Sequence, residues 1–291
     1  FLEYIENPAK VSFPWSMIDK ITPRPDASVK KMLEDCGFTD TESIVTTKNT
    51  YVAPFVNAEE AQYLVIENAF PNGRPALENA GVMFTSRETV EKVERMKVCT
   101  CLNPLHTALA VYGCLLGYTK ISDEMKDADL VKLVEIIGYK EGLPVVTDPG
   151  ILSPKKFIDE VLQIRVPNPF MPDTPQRIAC DTSQKLSIRF GETIKEYMAS
   201  SELDVKSLKF IPMVQAGWCR YLLGVDDELN AFTVSPDPMY EELAGKLAGV
   251  KVGESCDVHA VLSPILSDAK IFGVNLYEAG LGEYVESIFA E

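Results

Sequence analysis

The stretch that decides the reading is Glu94-Arg95-Met96-Lys97-Val98-Cys99-Thr100-Cys101-Leu102-Asn103-Pro104-Leu105-His106, which runs straight into an almost wholly apolar segment, Thr107 to Gly117. The apolar part has the length and composition of a buried helix. At its head stand an acid, an amine, an amide and an imidazole, polar groups that are costly to bury unless satisfied or used. Asn103 followed by Pro104 reads as an N-cap and a proline at the first helical position. That places His106 in the first turn, where free N–H groups and the helix dipole favour a negative or developing negative charge. Lys97 falls upstream, outside the regular helix. A plainer reading stands beside this one: Asn103 only caps, and His106 is a satisfied, half-buried histidine.

Working outward, a second polar cluster runs from Arg165 through Asn168, Asp173 and Arg177 to Asp181 and Lys185. A helix starting at Pro175 would carry Arg177, Asp181 and Lys185 on one face, at i, i+4 and i+8. Periodicity alone favours a solvated stripe of ion pairs, each worth about 0.3 kcal/mol. The alternative is two cations held by one carboxylate, lining a cleft for a polyhydroxy or carboxylate ligand.

Residues 1–28, with Pro14, Pro23 and Pro25 between apolar runs, read as an extended, partly buried segment; Asp19 and Lys20 within it either pair locally or face a cleft. Residues 29–36 suit a helix, Thr46–Val56 a strand and Gly81–Thr85 a short strand; Ala58–Asn68 reads as a helix or a strand, its Tyr63–Glu67 run favouring a strand. Ser86 and Thr89 open the helix that carries Glu94 and Lys97. Beyond 104 the pattern is helical, and four helix starts share a capping residue and a proline: Asn103-Pro104, Ser153-Pro154, Thr174-Pro175 and Asp237-Pro238. Amphipathic spacing continues through 130–139, 155–164, 208–223, 239–247, 257–266 and 277–289. The expected fold is mainly α: a small β-containing lead-in over 1–90 and a multi-helix domain over 91–291.

The chain has 28 basic and 43 acidic residues, a net charge of −15, and no basic tract. That argues against nucleic-acid or anionic-membrane partners, which need a positive surface. No apolar run reads as long enough to span a bilayer, and no signal-peptide pattern opens the chain. The seven cysteines read as reduced core residues of a cytoplasmic protein rather than a disulfide framework. Two distant histidines and a Cys99-Thr-Cys101 spacing speak against a metal site. No Gly-x-Gly-x-x-Gly or Walker-type loop is present, so the chain builds no nucleotide site by itself. It starts with Phe inside an amphipathic segment, which reads as a piece of something longer.

Four motifs occur in order: Phe13-Pro-Trp-Ser-Met-Ile-Asp-Lys-Ile-Thr-Pro23; Tyr63-Leu-Val-Ile-Glu67 with Gly73-Arg-Pro75 and Gly81-Val82; Glu94-x-x-Lys97 with Leu102-Asn-x-x-His106; and Asn168-Pro169 with Asp173-x-x-x-Arg177-Ile-Ala-x-Asp181-x-x-x-Lys185. Together they resemble the polyol-specific long-chain dehydrogenases: mannitol 2-dehydrogenase, fructuronate reductase (D-mannonate oxidoreductase) and tagaturonate reductase. The likeness covers the C-terminal helical domain, of the 6-phosphogluconate-dehydrogenase C-terminal type, and the segment leading into it. The family's N-terminal dinucleotide-binding (Rossmann) domain is not in this sequence.

The resemblance implies metal-independent oxidation of a secondary alcohol on a polyol or sugar acid, or the reverse reduction, with NAD or NADP bound mainly by that missing domain. Carried over by motif, Lys97 is the general base, an amine suited to the task where neighbouring cations and desolvation lower its pKa. Asn103 donates to the developing alkoxide, His106 hydrogen-bonds a substrate hydroxyl, and Glu94 relays the proton to solvent. Arg177 and Lys185 orient the substrate, while Asp19 and Lys185 lie close to both substrate and nicotinamide. One departure stands out. The family separates the lysine and asparagine by four residues; here Val98 to Leu102 makes five, which a bulge such as a π-type turn must absorb. The competing reading is a non-catalytic helical domain that binds sugar acids or partner proteins. Alone, the chain is expected to be inactive; its oligomeric state is not set by these residues.

Overall fold

The computed structural model describes residues 1–22, 25–171 and 173–291. Pro23 and Arg24 of the expected extended segment, and Pro172 of the second polar cluster, lie outside the described residues. The chain divides into two compact units: Phe1–Arg95 with Thr147–Ser153 and Asn168–Pro172, and Met96–Val146 with Pro154–Pro167 and Asp173–Glu291.

The first unit contains the sheet. A short helix α1 (Leu2–Ile5) opens it where extended chain is expected, and β1 (Ser16–Asp19) and α2 (Ala27–Asp35) follow. Asp26 starts α2 by accepting the Ser28 and Val29 N–H groups. The expected strand over 46–56 is instead the tip and second arm of a hairpin, β2 (Ile44–Val45) and β3 (Tyr51–Val52). Asn49, at φ 58°, turns the chain there, a conformation that asparagine tolerates. The β-branched run at 63–67 forms β4 (Tyr63–Glu67), antiparallel to β1 and parallel to β5 (Met83–Thr85). Met17 opposes Val65 across the ladder, and both are buried. Asp19 shares the buried face of β1 with Met17. Lys20 instead donates its amine to the Glu59 carbonyl. Helix α3 (Arg87–Met96) begins after Ser86, whose hydroxyl accepts the Thr89 N–H at 3.2 Å.

The second unit is built around α4 (Asn103–Leu115). Ten of its thirteen residues are buried, and each apolar side chain so removed from water contributes about 1.5–3 kcal/mol. Around α4 stand α5 (Ile121–Glu124), α6 (Ala128–Glu135), α7 (Pro154–Glu160), α8 (Pro175–Ile178), α9 (Glu192–Ala199) and α10 (Phe210–Tyr221). Helices α11 (Tyr240–Lys246), α12 (Val258–Leu266), α13 (Ala269–Phe272) and α14 (Gly282–Ala290) complete the unit. The start expected at Asp237-Pro238 moves to Tyr240: the Asp237 carboxylate accepts the Met239 N–H at 2.9 Å, and also the Ser183 N–H at 2.8 Å and the Ser183 hydroxyl at 2.5 Å. Glu141, buried, accepts the N–H groups of Lys209, Phe210 and Ile211 at 2.6–2.8 Å and so satisfies the N-terminus of α10.

Among the described residues, π-turns occur at Lys97–Cys101, Ile136–Gly142, Val161–Arg165 and Ser187–Gly191. With the first of them, the helical stretch from Arg87 to Leu115 is long and apolar enough to cross a membrane, against the expectation that no stretch is. It is mostly buried inside the protein, as a core helix is. The seven cysteines are all free, but Cys36 and Cys256 are exposed rather than in the core; both sit in polar, loop-flanking sequence that buries little.

Two close approaches hold the second unit together. A Cβ at Gly191 would lie 2.2 Å from the Phe272 carbonyl oxygen, so the π-turn at Ser187–Gly191 meets α13 backbone to backbone. Beside α4, a Cβ at Gly113 would fall 2.1 Å from a carboxyl oxygen of Glu124. Glu124 is fully buried, neither of its oxygens has a hydrogen-bond partner among the described residues, and burial, with Asp173 nearby, pushes its carboxyl up to about 9. It is buried as the neutral acid.

Two outcomes follow. Gly191→Ala gains about 1 kcal/mol of helix propensity but overpacks against backbone that cannot yield, and chemical denaturation is expected to show a net loss of about 2 kcal/mol. For Glu124, the folded-state value lies above the ordinary 4.5. Its contribution is therefore fully present below that value and lost as pH rises toward 9. Thermal unfolding of Glu124→Gln should show the variant gaining on the parent chain between pH 5 and pH 9; an unchanged difference across that window counts against the neutral buried acid.

Candidate active site

Lys97 is the first residue of the π-turn, and its carbonyl accepts the Leu102 N–H at 3.1 Å, a five-residue loop-back. Such a turn takes up one residue more than an α-turn while leaving the residues beyond it on the face they would otherwise occupy. The five-residue spacer between Lys97 and Asn103 is absorbed here. Pro104 contributes by bringing no N–H to the carbonyls four and five residues back. One of these, on Cys99, accepts from the Thr193 hydroxyl at 3.4 Å.

The N-cap expected at Asn103 is not there. The cap position is Leu102 (φ −129°, ψ −62°), and no side chain caps α4. Because the chain enters α4 from a π-turn rather than from a loop, the helix has no free end to cap. The His106 N–H is taken by the Leu102 carbonyl at 3.1 Å, so it does not wait for an anion. What Asn103 offers instead is a side-chain oxygen sealed from solvent and without a hydrogen-bond partner among the described residues. Asn103 and His106, one turn apart, are half-buried while the residues beside them on α4 are buried.

His106 lies in a cationic neighbourhood. Burial lowers its pKa first, Asp173 opposes, and Arg165, Arg189 and Arg177 lower it further, to about 4. The imidazole is neutral at physiological pH. Arg165 is buried, with its guanidinium 5.7 Å from the Phe157 ring centre. Arg189 donates to the Thr107 hydroxyl at 2.6 Å, and that hydroxyl donates to the Asn103 carbonyl at 2.8 Å. Burial pushes the Arg189 guanidinium down to about 10.

The helix face expected for Arg177, Asp181 and Lys185 does not form. Thr174 starts α8 by accepting the Arg177 N–H at 3.2 Å, but the helix ends at Ile178. Asp181 then takes a left-handed conformation (φ 52°), its N–H bonded to the Pro236 carbonyl at 2.8 Å. The acid on Arg177 is Asp173, four residues upstream, which takes both Nε (2.5 Å) and Nη2. The Asp173 bond raises the Arg177 pKa. Lys185 donates its amine to the carbonyls of Ile178 and Cys180; burial first, then Arg189, lowers its pKa.

The second unit therefore holds Lys97, Asn103, His106, Arg177 and Lys185, and of these His106, Arg177 and Lys185 share one electrostatic neighbourhood. Asp19, buried on β1, and Glu94, exposed on α3, belong to the first unit. Reasoning from sequence passed over Arg189 and Thr107, and gave Arg165 and Asp173 no part. A lone charge between Ile188 and Phe190, inside an apolar run, was the available signal for Arg189. Among the described residues no group of three or more His, Cys, Asp or Glu side chains is arranged to hold a metal ion.

Residues 89–282 match the family described as mannitol dehydrogenase C-terminal domain. The chain is 60% identical over 293 residues to the D-mannonate oxidoreductase of Thermotoga maritima, covering 99% of this chain and 53% of that protein. It is 31% identical to the mannitol 2-dehydrogenase of Aspergillus niger, covering 90% and 51%. A solved structure of Pseudomonas fluorescens mannitol 2-dehydrogenase, in ternary complex with NAD and D-mannitol, superimposes with a TM-score of 0.73 at 26% identity, over 99% of this chain and 52% of that one. The chain thus spans about half the length of the relatives it matches. With the match running from α3 into α14, this chain belongs to the mannitol dehydrogenase C-terminal domain family.

Proposed function

We propose that this chain is the substrate-binding and catalytic half of a metal-independent, NAD(P)-dependent dehydrogenase that oxidises a secondary hydroxyl of a linear sugar acid, or reduces the matching ketone. The observation that carries the reading is the polar head of α4. Asn103 and His106 are one turn apart on a helix otherwise sunk in the core, and the Asn103 side-chain oxygen is buried without a partner. Natural proteins leave a buried amide oxygen orphaned mostly where a ligand or water completes it. With that oxygen turned into the core, the amide N–H is the end of Asn103 left to meet a substrate.

A bound nicotinamide would supply the acceptor for the hydride. Lys97 takes the hydroxyl proton, and Glu94, exposed near the end of α3, passes it to solvent. The Asn103 amide N–H donates to the oxygen as it gains charge. His106, neutral, accepts or donates one hydrogen bond to a neighbouring hydroxyl without adding charge. Arg177 and Lys185 orient the chain of hydroxyls. Lys185 would hold the reacting end of the nicotinamide. The residues present fit the reacting end of the cofactor only; the pyrophosphate has no glycine-rich loop to rest on in this sequence. The 60% identity to a D-mannonate oxidoreductase and the excess of arginine over acid around His106 support a sugar acid ahead of a neutral polyol. Free cysteines fit a cytoplasmic setting.

In the full-length protein carrying this chain, Lys97→Ala should lower kcat for D-mannonate oxidation by about 10²–10⁴-fold with little change in binding. Stopped-flow and steady-state kinetics with NAD and NADP check this. Full activity in the variant rules out lysine base catalysis. The 291-residue chain alone should bind sugar acid but turn over none.

A further inference from the structure

Arg189 is a half-buried cation that no acid among the described residues neutralises. Arg74, Arg87, Arg177 and Arg220 each have a carboxylate within ion-pair distance. Arg189 has none among the described residues; its one hydrogen bond is to the uncharged Thr107 hydroxyl, at 2.6 Å. A guanidinium presents five N–H donors in a flat fork, so one bond leaves most of that fork unused. Withdrawing such a charge from water without a counter-anion is costly, and burial accordingly lowers its affinity for its proton. The fold nevertheless holds it firmly. Arg189 stands in the π-turn Ser187–Gly191, clamped against α13 through Gly191, and Thr107, its partner, is buried in α4 and bonded back to Asn103.

The position is as informative as the missing anion. Thr107 follows His106 directly, and both His106 and Lys185 feel the charge of Arg189. A cation is thus offered next to the proposed hydroxyl-binding end of α4. Arg177, the arginine that sequence motifs single out, is less free to serve: Asp173 already occupies its Nε and Nη2 edge. In a chain with a net charge of −15, anions are repelled overall, so their capture requires a local, desolvated and preorganised cation.

We propose that Arg189, seated on Thr107 beside His106, receives the carboxylate of the linear sugar acid and so sets the preference for an aldonate over the neutral polyol of the same length. This rests on the dehydrogenase reading above. A planar carboxylate matches the guanidinium fork edge to edge, with two parallel N–H···O bonds, a geometry that a lysine amine cannot reproduce.

The test uses the full-length protein with NAD present, measuring Kd for D-mannonate and for D-mannitol in the parent, Arg189→Gln and Arg189→Lys, with kcat for mannonate alongside. The expected result is a fall in the mannonate-to-mannitol affinity ratio of about 100-fold in Arg189→Gln, the range of a lost hydrogen-bonded charge pair. Arg189→Lys, which keeps the charge and loses the fork, should lose about tenfold. In both variants kcat should fall less than the affinity for mannonate does. Should Arg189→Gln fail to fold, the Lys variant decides alone. An unchanged ratio, or equal losses on acid and polyol, overturns the assignment while leaving the dehydrogenase reading standing. A parent that oxidises neither sugar acids nor polyols overturns both.

Discussion

The organising constraint is a buried helix that must carry polar groups at one end and accommodate one residue too many. A helix as deeply buried as α4 cannot be relieved by fraying, because every freed carbonyl or N–H would be left unpaired in the core. The π-turn at Lys97–Cys101 solves this with one wider loop, and Thr193 takes up the Cys99 carbonyl. The extra residue is thereby localised upstream of Asn103. What lies downstream keeps its face, so Asn103 and His106 remain at the edge of the core rather than inside it. Pro104 fits the same logic: placed where the helix restarts, it removes a donor that the widened turn could not have used well.

The electrostatics follow from the same burial. Three arginines near a half-buried imidazole would be untenable if His106 also carried charge, and it does not. A neutral His106 can still hydrogen-bond to a hydroxyl without adding a charge to those around it. Glu124 shows the complementary choice on the far end of α4: with no partner and an acid nearby, it stays protonated, and Gly113 leaves room for it. Charge is placed near the polar end of the helix and avoided at its other end.

Much of the architecture was legible because it rests on local rules. The apolar run after Thr107 marked α4, the β-branched run at 63–67 marked β4, and Thr174-Pro175 marked the start of α8. Legibility failed where a tertiary contact overrode a local one. Asp237-Pro238 has the form of a helix start, but the aspartate is shared between Met239 and Ser183 and the helix begins only at Tyr240. Asp181 has the spacing of a salt-bridge partner for Arg177, but a backbone bond to Pro236 turns the chain out of helix. Asn103 has the residue type of a cap, but the helix it would cap arrives already formed. Arg189 was invisible for another reason: periodicity marks a charge in an apolar run as an anomaly without saying what it faces.

That distinction bears on how the cations divide their work. Arg177 is exposed and held at both ends, by Asp173 on its side chain and by Thr174 on its backbone. A guanidinium so fixed offers a rigid outer donor edge and little net charge, which suits hydroxyls, whose recognition needs geometry more than attraction. Arg189 is half-buried and bonded only to a hydroxyl, so it keeps its full charge in a medium that screens it weakly. Lys185 lies between these cases, its amine bound to two carbonyls yet still sensing Arg189. Under the proposed dehydrogenase reading, a ligand with a carboxylate at one end and hydroxyls along its length would meet such a gradient, from neutralised to bare cation, at every step.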